Sequence, residues 1–194
     1  MPRVITGLYK GRRLVSPSGR NTRPTADQVR EAMFSILESL PLDFEGARVI
    51  DFFAGSGALA FEALSRGAAS ALLADHDREA AAAVKRNIEN MGLEKQAFFL
   101  KNRWPKGLSG LTALGPFDLL FFDPPYEEKI LPIKLLKDCA ELGLAAGGAV
   151  AVWEQSPENF EKWAEDDLFP WVLVKTRSWG RQAAAFMRFE GPGK

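Results

Sequence analysis

The sequence holds one cysteine, Cys139, and one histidine, His76, in 194 residues. A lone cysteine excludes an intramolecular disulfide framework, and with a single histidine there are too few soft ligands for a zinc site, so no metal site is expected. This cysteine usage suits a reducing cytoplasm, which is the expected location. No apolar run approaches the ~18 residues of a membrane span, and Met1-Pro2-Arg3-Val4 does not lead into the apolar core of a signal peptide. Export and membrane insertion are therefore not expected. Net charge is absent as well, because 25 Lys and Arg balance 25 Asp and Glu.

That zero is a sum of unlike parts. Residues 1–30 hold Arg3, Lys10, Arg12, Arg13, Arg20, Arg23 and Arg30 against Asp27, a charge of +6. Residues 171–194 hold five basic residues and Glu190, a charge of +4, which leaves −10 for residues 31–170. An acidic body with basic ends suits docking on a polyanion, and solvated terminal tails are the alternative. A hydrophobic share of 46% and a charged share of 26% describe an ordinary globular chain of one domain, long enough to bury a full core.

Two β-prone runs at 3–6 and 12–16, separated by Gly7 and Gly11, predict a basic N-terminal hairpin. A helix is expected from about Thr25, which has capping-box spacing to Gln28, with Val29, Met33, Ile36, Leu37 and Leu40 at helical steps and Pro41 as its stop. From residue 48 strands and helices alternate. Strands are expected at 49–53, 71–74, 97–100, 117–122 and 149–153, and helices at 59–65, 78–90 and about 133–142. Continuous apolar strands alternating with helices imply a mainly parallel sheet with helices on both faces. The tail differs: 171–176 and 183–189 are joined through Ser178-Trp179-Gly180-Arg181 with no room for a helix, so they should pair antiparallel.

The first strand runs into Asp51-Phe52-Phe53-Ala54-Gly55-Ser56-Gly57 and then at once into a helix. Glycines at 55 and 57 let the backbone turn sharply and approach a ligand, and a helix N-terminus offers unpaired N–H groups. A tight turn with no ligand would also use two glycines. A dinucleotide fingerprint requires a third glycine, and Ala60 stands in its place. Asp75 ends the second strand, where nucleoside-binding α/β proteins place an acid to accept bonds from ribose hydroxyls. A nucleoside without a pyrophosphate fits this loop better than NAD. The alternative for Asp75 is a helix N-cap, a role that Asp77 suits better. His76 is read as a partly exposed neighbour of the nucleoside pocket.

The most specific signal follows the fourth strand, in Asp123-Pro124-Pro125-Tyr126. Consecutive prolines fix φ and supply no N–H, so the carbonyl before them is held rigidly at the strand's end. The carbonyl and carboxylate of Asp123 could grip an exocyclic NH2, and Tyr126 offers a ring face for a flat base. Hydrogen bonds from a conjugated amine to Asp123 would localise its lone pair toward an incoming methyl group. A proline-stiffened loop with a capping aspartate is the alternative.

Asp51-x-Phe53-Ala54-Gly55-Ser56-Gly57-Ala58-Leu59, Glu62-Ala63-Leu64-Ser65-Arg66-Gly67-Ala68, Asp123-Pro124-Pro125-Tyr126 and Arg23-Pro24-Thr25…Val29-Arg30-Glu31 together resemble the RsmD family. Its members are bacterial class I S-adenosylmethionine-dependent methyltransferases that modify N2 of a guanine, position 966 in the usual numbering, in 16S ribosomal RNA. The resemblance implies a Rossmann-like α/β fold with a seven-stranded, mainly parallel sheet and an antiparallel last strand. Residues 1–40 would form a basic hairpin and helix packed on the core, and 41–194 the methyltransferase domain.

The resemblance also assigns roles. S-adenosylmethionine would be held by Asp51, Phe53, Ala54, Gly55, Gly57, Asp75, His76 and Asn102, and the target base would be received by Asp123, Pro124, Pro125 and Tyr126. In the family picture Arg23, Thr25 and Arg30 lie over the active site and would contact RNA, in a 30S subunit or an assembly intermediate; from the basic ends Arg12, Arg13, Trp179 and Arg181 are expected to do the same, and a monomer is the default for a chain of this size. Three positions depart from the family pattern: Phe52 replaces Leu, Asp75 is one carbon shorter than the usual Glu, and Asn102 stands where a carboxylate commonly meets the adenine amino group. For Arg23, Thr25 and Arg30 the alternative is salt bridging at the helix start, to Asp27 or Glu31. Trp104, Trp153, Trp163 and Trp171 are read as packing residues, as is Cys139, with Trp179 between Arg177 and Arg181 the best candidate for stacking.

Overall fold

The computed structural model describes residues 1–17, 24–124, 131–157 and 168–191, with backbone alone at 24–26 and 131–132. Helices and strands follow one another as α1 (Pro24–Glu38), β1 (Arg48–Asp51), α2 (Ala58–Ser65), β2 (Ser70–Asp75), α3 (Arg78–Met91), β3 (Ala97–Lys101), β4 (Phe117–Phe122), α4 (Leu131–Glu141), β5 (Ala145–Gln155), β6 (Trp171–Trp179) and β7 (Gln182–Phe189). The strands form one seven-stranded sheet in the order β3-β2-β1-β4-β5-β7-β6. The chain divides into two compact units, Met1–Arg103 and Trp104–Lys194.

In the first unit β1, β2 and β3 are parallel, with Val49 opposite Ala71 and Asp75 opposite Lys101. Their apolar runs are buried, Val49, Ile50, Leu73 and Ala74 completely, as strands covered on two faces must be. α3 presents Ala80, Ala83, Val84, Asn87 and Ile88 as its buried stripe, and Gly92 closes it in the left-handed conformation. α1 begins at Pro24, a favoured first helical residue, so Thr25 lies inside the first turn and is not the cap. Its buried side is Val29, Met33, Phe34 and Leu37.

The expected N-terminal hairpin is reduced to a single bridge between Arg3 and Arg13. The reason lies in where its backbone groups go. Buried Glu62 on α2 accepts from the N–H of Ile5 (2.7 Å) and of Thr6 (3.0 Å). The Ser65 hydroxyl accepts from Tyr9 N–H and donates to Thr6 carbonyl, while Leu8 N–H reaches the Ser65 carbonyl. Gly7 lies so close that a Cβ there would sit 1.8 Å from that carbonyl oxygen, so no other residue fits without moving the segment. Segment and helix are thus joined mainly through the side chains of Glu62 and Ser65, with one backbone bond from Leu8, rather than by a strand ladder.

Arg66 closes the arrangement. Its guanidinium pairs with Glu62 at 2.9 Å and with Glu38 of α1, and lies 4.8 Å from the centre of the Phe34 ring. The Glu62-to-Ala68 stretch that carries the family resemblance is therefore a clamp for the N-terminal segment and α1.

In the second unit β4 and β5 are parallel, with Phe122 opposite Trp153, and the register shifts between Phe117 and Leu119. β5 begins four residues earlier than expected, because its first part runs through Gly147 and Gly148, the latter at φ 79°. β7 pairs antiparallel with both β5 and β6, as the short connection at 178–181 requires. The antiparallel strand is thus the last in sequence and lies between two others, with Ala183–Met187 buried. A 3-10 turn over Leu108–Ala113, which the sequence reading did not anticipate, precedes β4.

Candidate functional site

In the first unit the expected cofactor residues gather at the ends of β1 and β2. Asp51 closes β1 with its carboxylate buried, accepting from Phe53 N–H at 3.2 Å. The chain then turns through Gly55 (φ 56°) and Gly57 (φ 81°), conformations that a side chain disfavours. Gly57 also has no room: a Cβ would stand 2.5 Å from Phe61 and 2.7 Å from Leu73. Ala54 is buried and its N–H reaches the Ala74 carbonyl at 2.9 Å, and Phe53 is half-buried.

Asp75 latches this loop to the end of β2. One carboxylate oxygen accepts from Gly55 N–H and the other from Asp77 N–H, both at 2.9 Å. Its own carbonyl accepts from the N–H of half-buried Asn102 at 3.0 Å. The helix cap is Asp77, which accepts from Glu79 N–H and begins α3, so Asp75 is not the N-cap. Each oxygen of a carboxylate has capacity for a second bond, so a latched Asp75 can still accept from a ligand hydroxyl. His76 is half exposed, its Nδ1 3.7 Å from Asp75, beyond hydrogen-bonding distance.

In the second unit β4 is buried through Phe122, and the next residue, Asp123, is exposed. A carboxylate is thereby delivered to solvent at the end of a rigid strand. Pro124 is buried beside it; Pro125 and Tyr126 lie outside the described residues. Cys139 is fully buried on α4, and burial, assisted by the Asp138 carboxylate, pushes its thiol far above the ordinary range, so it is a packing residue.

The residues expected on RNA divide. Arg12 and Arg13 are exposed in the N-terminal segment, and Arg181 is exposed in the turn after half-buried Trp179. Arg30 is a correction: it is 6% exposed, and its Nη2 donates to the Arg3 carbonyl (2.6 Å) and to Asp27 (2.9 Å), so it ties α1 to the N-terminal segment instead of facing solvent. Arg23 and the side chain of Thr25 lie outside the described residues, as does Trp163. Trp104, Trp153 and Trp171 are buried, Trp171 donating to the Leu136 carbonyl at 2.8 Å, in keeping with packing roles. Among the described residues no cluster of His, Cys, Asp and Glu is arranged to hold a metal.

In the sequence Glu62 and Ser65 stand out only as parts of a motif, and Asn87 belongs to none. The signal was present in both helices. Glu62 interrupts the otherwise apolar Ala58-Leu-Ala-Phe, and Asn87 occupies a position of the α3 stripe where only apolar residues are expected. A polar side chain there must be paying for its burial with hydrogen bonds.

Residues 2–188 match the family model described as Conserved hypothetical protein 95. The chain is 36% identical over 160 residues to the Ribosomal RNA small subunit methyltransferase D of Escherichia coli K12, covering 81% of this chain and 76% of that protein. It is 40% identical over 130 residues to the "Putative rRNA methyltransferase YlbH" of Bacillus subtilis 168, covering 66% and 69% of the two. Among solved structures, the "Putative methyltransferase yhhF" of Escherichia coli superposes with a TM-score of 0.77 at 29% identity, over 97% of this chain and 98% of that one. The sheet is the class I methyltransferase sheet with its antiparallel last strand, and the chain belongs to the RsmD family.

Proposed function

We propose that this chain transfers a methyl group from S-adenosylmethionine to the exocyclic N2 of a guanine in 16S ribosomal RNA, the position 966 type, with the base turned out of its stack onto Asp123. The observation that carries the reading is Asp123 itself, an exposed carboxylate fixed by buried Phe122 before it and buried Pro124 after it, in a chain related over most of its length to small-subunit rRNA methyltransferases.

The first unit fits the cofactor by the chemistry of its groups. Asp75 is immobilised by two backbone N–H bonds and retains acceptor capacity for a ribose diol. Gly55 and Gly57 turn the backbone tightly at the start of α2, and Asp51 sets a buried carboxylate at the neighbouring strand end, suited to a cationic amino acid end. When bound, S-adenosylmethionine supplies a methyl group activated by its sulfonium. Asp123 accepts the N–H bonds of the target amine, holds its lone pair toward the methyl carbon and disperses the charge that grows on nitrogen. Alignment of amine and methyl carbon provides much of the remaining acceleration. Tyr126 stacks on the flipped base. Arg12, Arg13 and Arg181 hold RNA phosphates.

Transfer from labelled S-adenosylmethionine to protein-free 16S rRNA and to 30S particles, followed by nucleoside analysis, tests the reading. N2-methylguanosine is expected. Methylated adenosine, or cofactor binding with no transfer to either substrate, contradicts it, the latter favouring an assembly factor that binds rRNA without catalysis.

A further inference from the structure

Asn87 on α3 is 1% exposed and its amide is engaged on both sides. Its Nδ2 donates to the Ser56 carbonyl at 2.9 Å and to the Val15 carbonyl at 3.0 Å, and its Oδ1 accepts from Val15 N–H at 2.7 Å. Ser56 is the middle residue of the glycine loop. Val15 lies two residues after Arg13 in the segment that also carries Lys10 and Arg12. One planar side chain therefore holds the loop and the basic segment at once. The same segment is fastened to α2, the helix capped by Gly57, through Glu62 and Ser65. It is thus tied to both helices, α2 and α3, that hold the loop.

We propose that Asn87 is a positioning residue that couples RNA on the N-terminal basic segment to S-adenosylmethionine at the glycine loop, so that each ligand tightens the binding of the other. The proposal rests on the assignment of loop and segment made under the proposed function. Its physical basis is shared order. A ligand that fixes the Ser56 backbone fixes the Asn87 amide plane, and that plane fixes both polar groups of Val15, so the second ligand meets a segment already ordered by the first. Such coupling is reciprocal by thermodynamic necessity.

The test is a binding cycle on the full chain with S-adenosylhomocysteine and in vitro transcribed 16S rRNA, each titrated alone and with the other saturating. In the wild type each ligand is expected to tighten the other by about fivefold or more. Asn87→Asp keeps the shape but replaces the donor that faces two carbonyls by an acceptor, and its coupling factor should fall toward one while each ligand still binds alone. General destabilisation would weaken both affinities without removing their ratio. Binding of both ligands with no coupling in the wild type, or undiminished coupling in Asn87→Asp, overturns the proposal and leaves the functional reading intact. A wild type that fails to bind one of the two ligands overturns both.

Amide exchange on the wild type covers the case in which the variant does not fold. S-adenosylhomocysteine should slow exchange at Val15 together with Gly55 and Gly57. Protection confined to the loop overturns the proposal.

Discussion

The two basic ends of the chain carry charge of one sign but are built differently. In the N-terminal end, Arg3 and Arg30 both face Asp27, and the backbone from Ile5 to Val15 is fastened to buried Glu62, Ser65 and Asn87. In the C-terminal end, β6 is an edge strand whose residues from Val172 to Ser178 are all exposed, with Lys175 and Arg177 among them, and Arg188 pairs with Glu190. Formal charge counts both ends alike. The structure separates cations consumed by internal bonds from cations exposed to solvent: Lys10, Arg12 and Arg13 on a clamped segment, and Lys175, Arg177 and Arg181 on a strand edge and turn.

The largest effect that would break this contrast is loss of the clamp. Glu62→Ala strips the acceptor from two N–H groups and a partner from buried Arg66, and should cost about 3–5 kcal/mol in urea unfolding. It should also loosen the backbone around the already exposed Arg12 and Arg13, so that trypsin cuts there faster than in the wild type. A loss below about 1 kcal/mol would show that the segment is held by something else. Next, Arg30→Ala should cost about 1–3 kcal/mol of stability while leaving the salt dependence of RNA binding unchanged. A reduced salt slope would return Arg30 to the RNA-facing set.

Arg12→Ala with Arg13→Ala should do the reverse, lowering the salt slope of RNA affinity by roughly 1.4–1.8 with little change in stability. Arg177→Ala with Arg181→Ala tests the other end in the same assay, and a drop of similar size is expected if both ends hold phosphates. An unchanged slope there would confine RNA binding to the clamped end. The smallest effect concerns Cys139, which should resist iodoacetamide in the native state because its thiol is buried and its ionisation suppressed.

The succession of elements was legible because period and punctuation agreed: buried apolar runs at β1, β2 and β4, an α3 stripe ending at Gly92, and a β6–β7 connection too short for a helix. Asp75 could also be separated from the cap, since Asp77 stands immediately before the helix. What the sequence hid are bonds between residues far apart in the chain. The segment at 3–16 has strand-like composition, yet the N–H groups of Ile5, Thr6, Tyr9 and Val15 are satisfied by side chains more than fifty residues away, and no local pattern encodes that. For Arg30 the pairing with Asp27 three residues earlier was the alternative the sequence offered, whereas its bond to the Arg3 carbonyl was not visible there.

The central claim is that Asp123 grips the amine that receives the methyl group. Its most direct measurement is single-turnover transfer to 16S rRNA by Asp123→Ala, with S-adenosylmethionine affinity measured on the same protein. The account predicts a loss of about a hundredfold or more in the transfer rate, with cofactor affinity within about twofold of the wild type. Transfer near the wild-type rate, or a collapse of cofactor affinity, would contradict it.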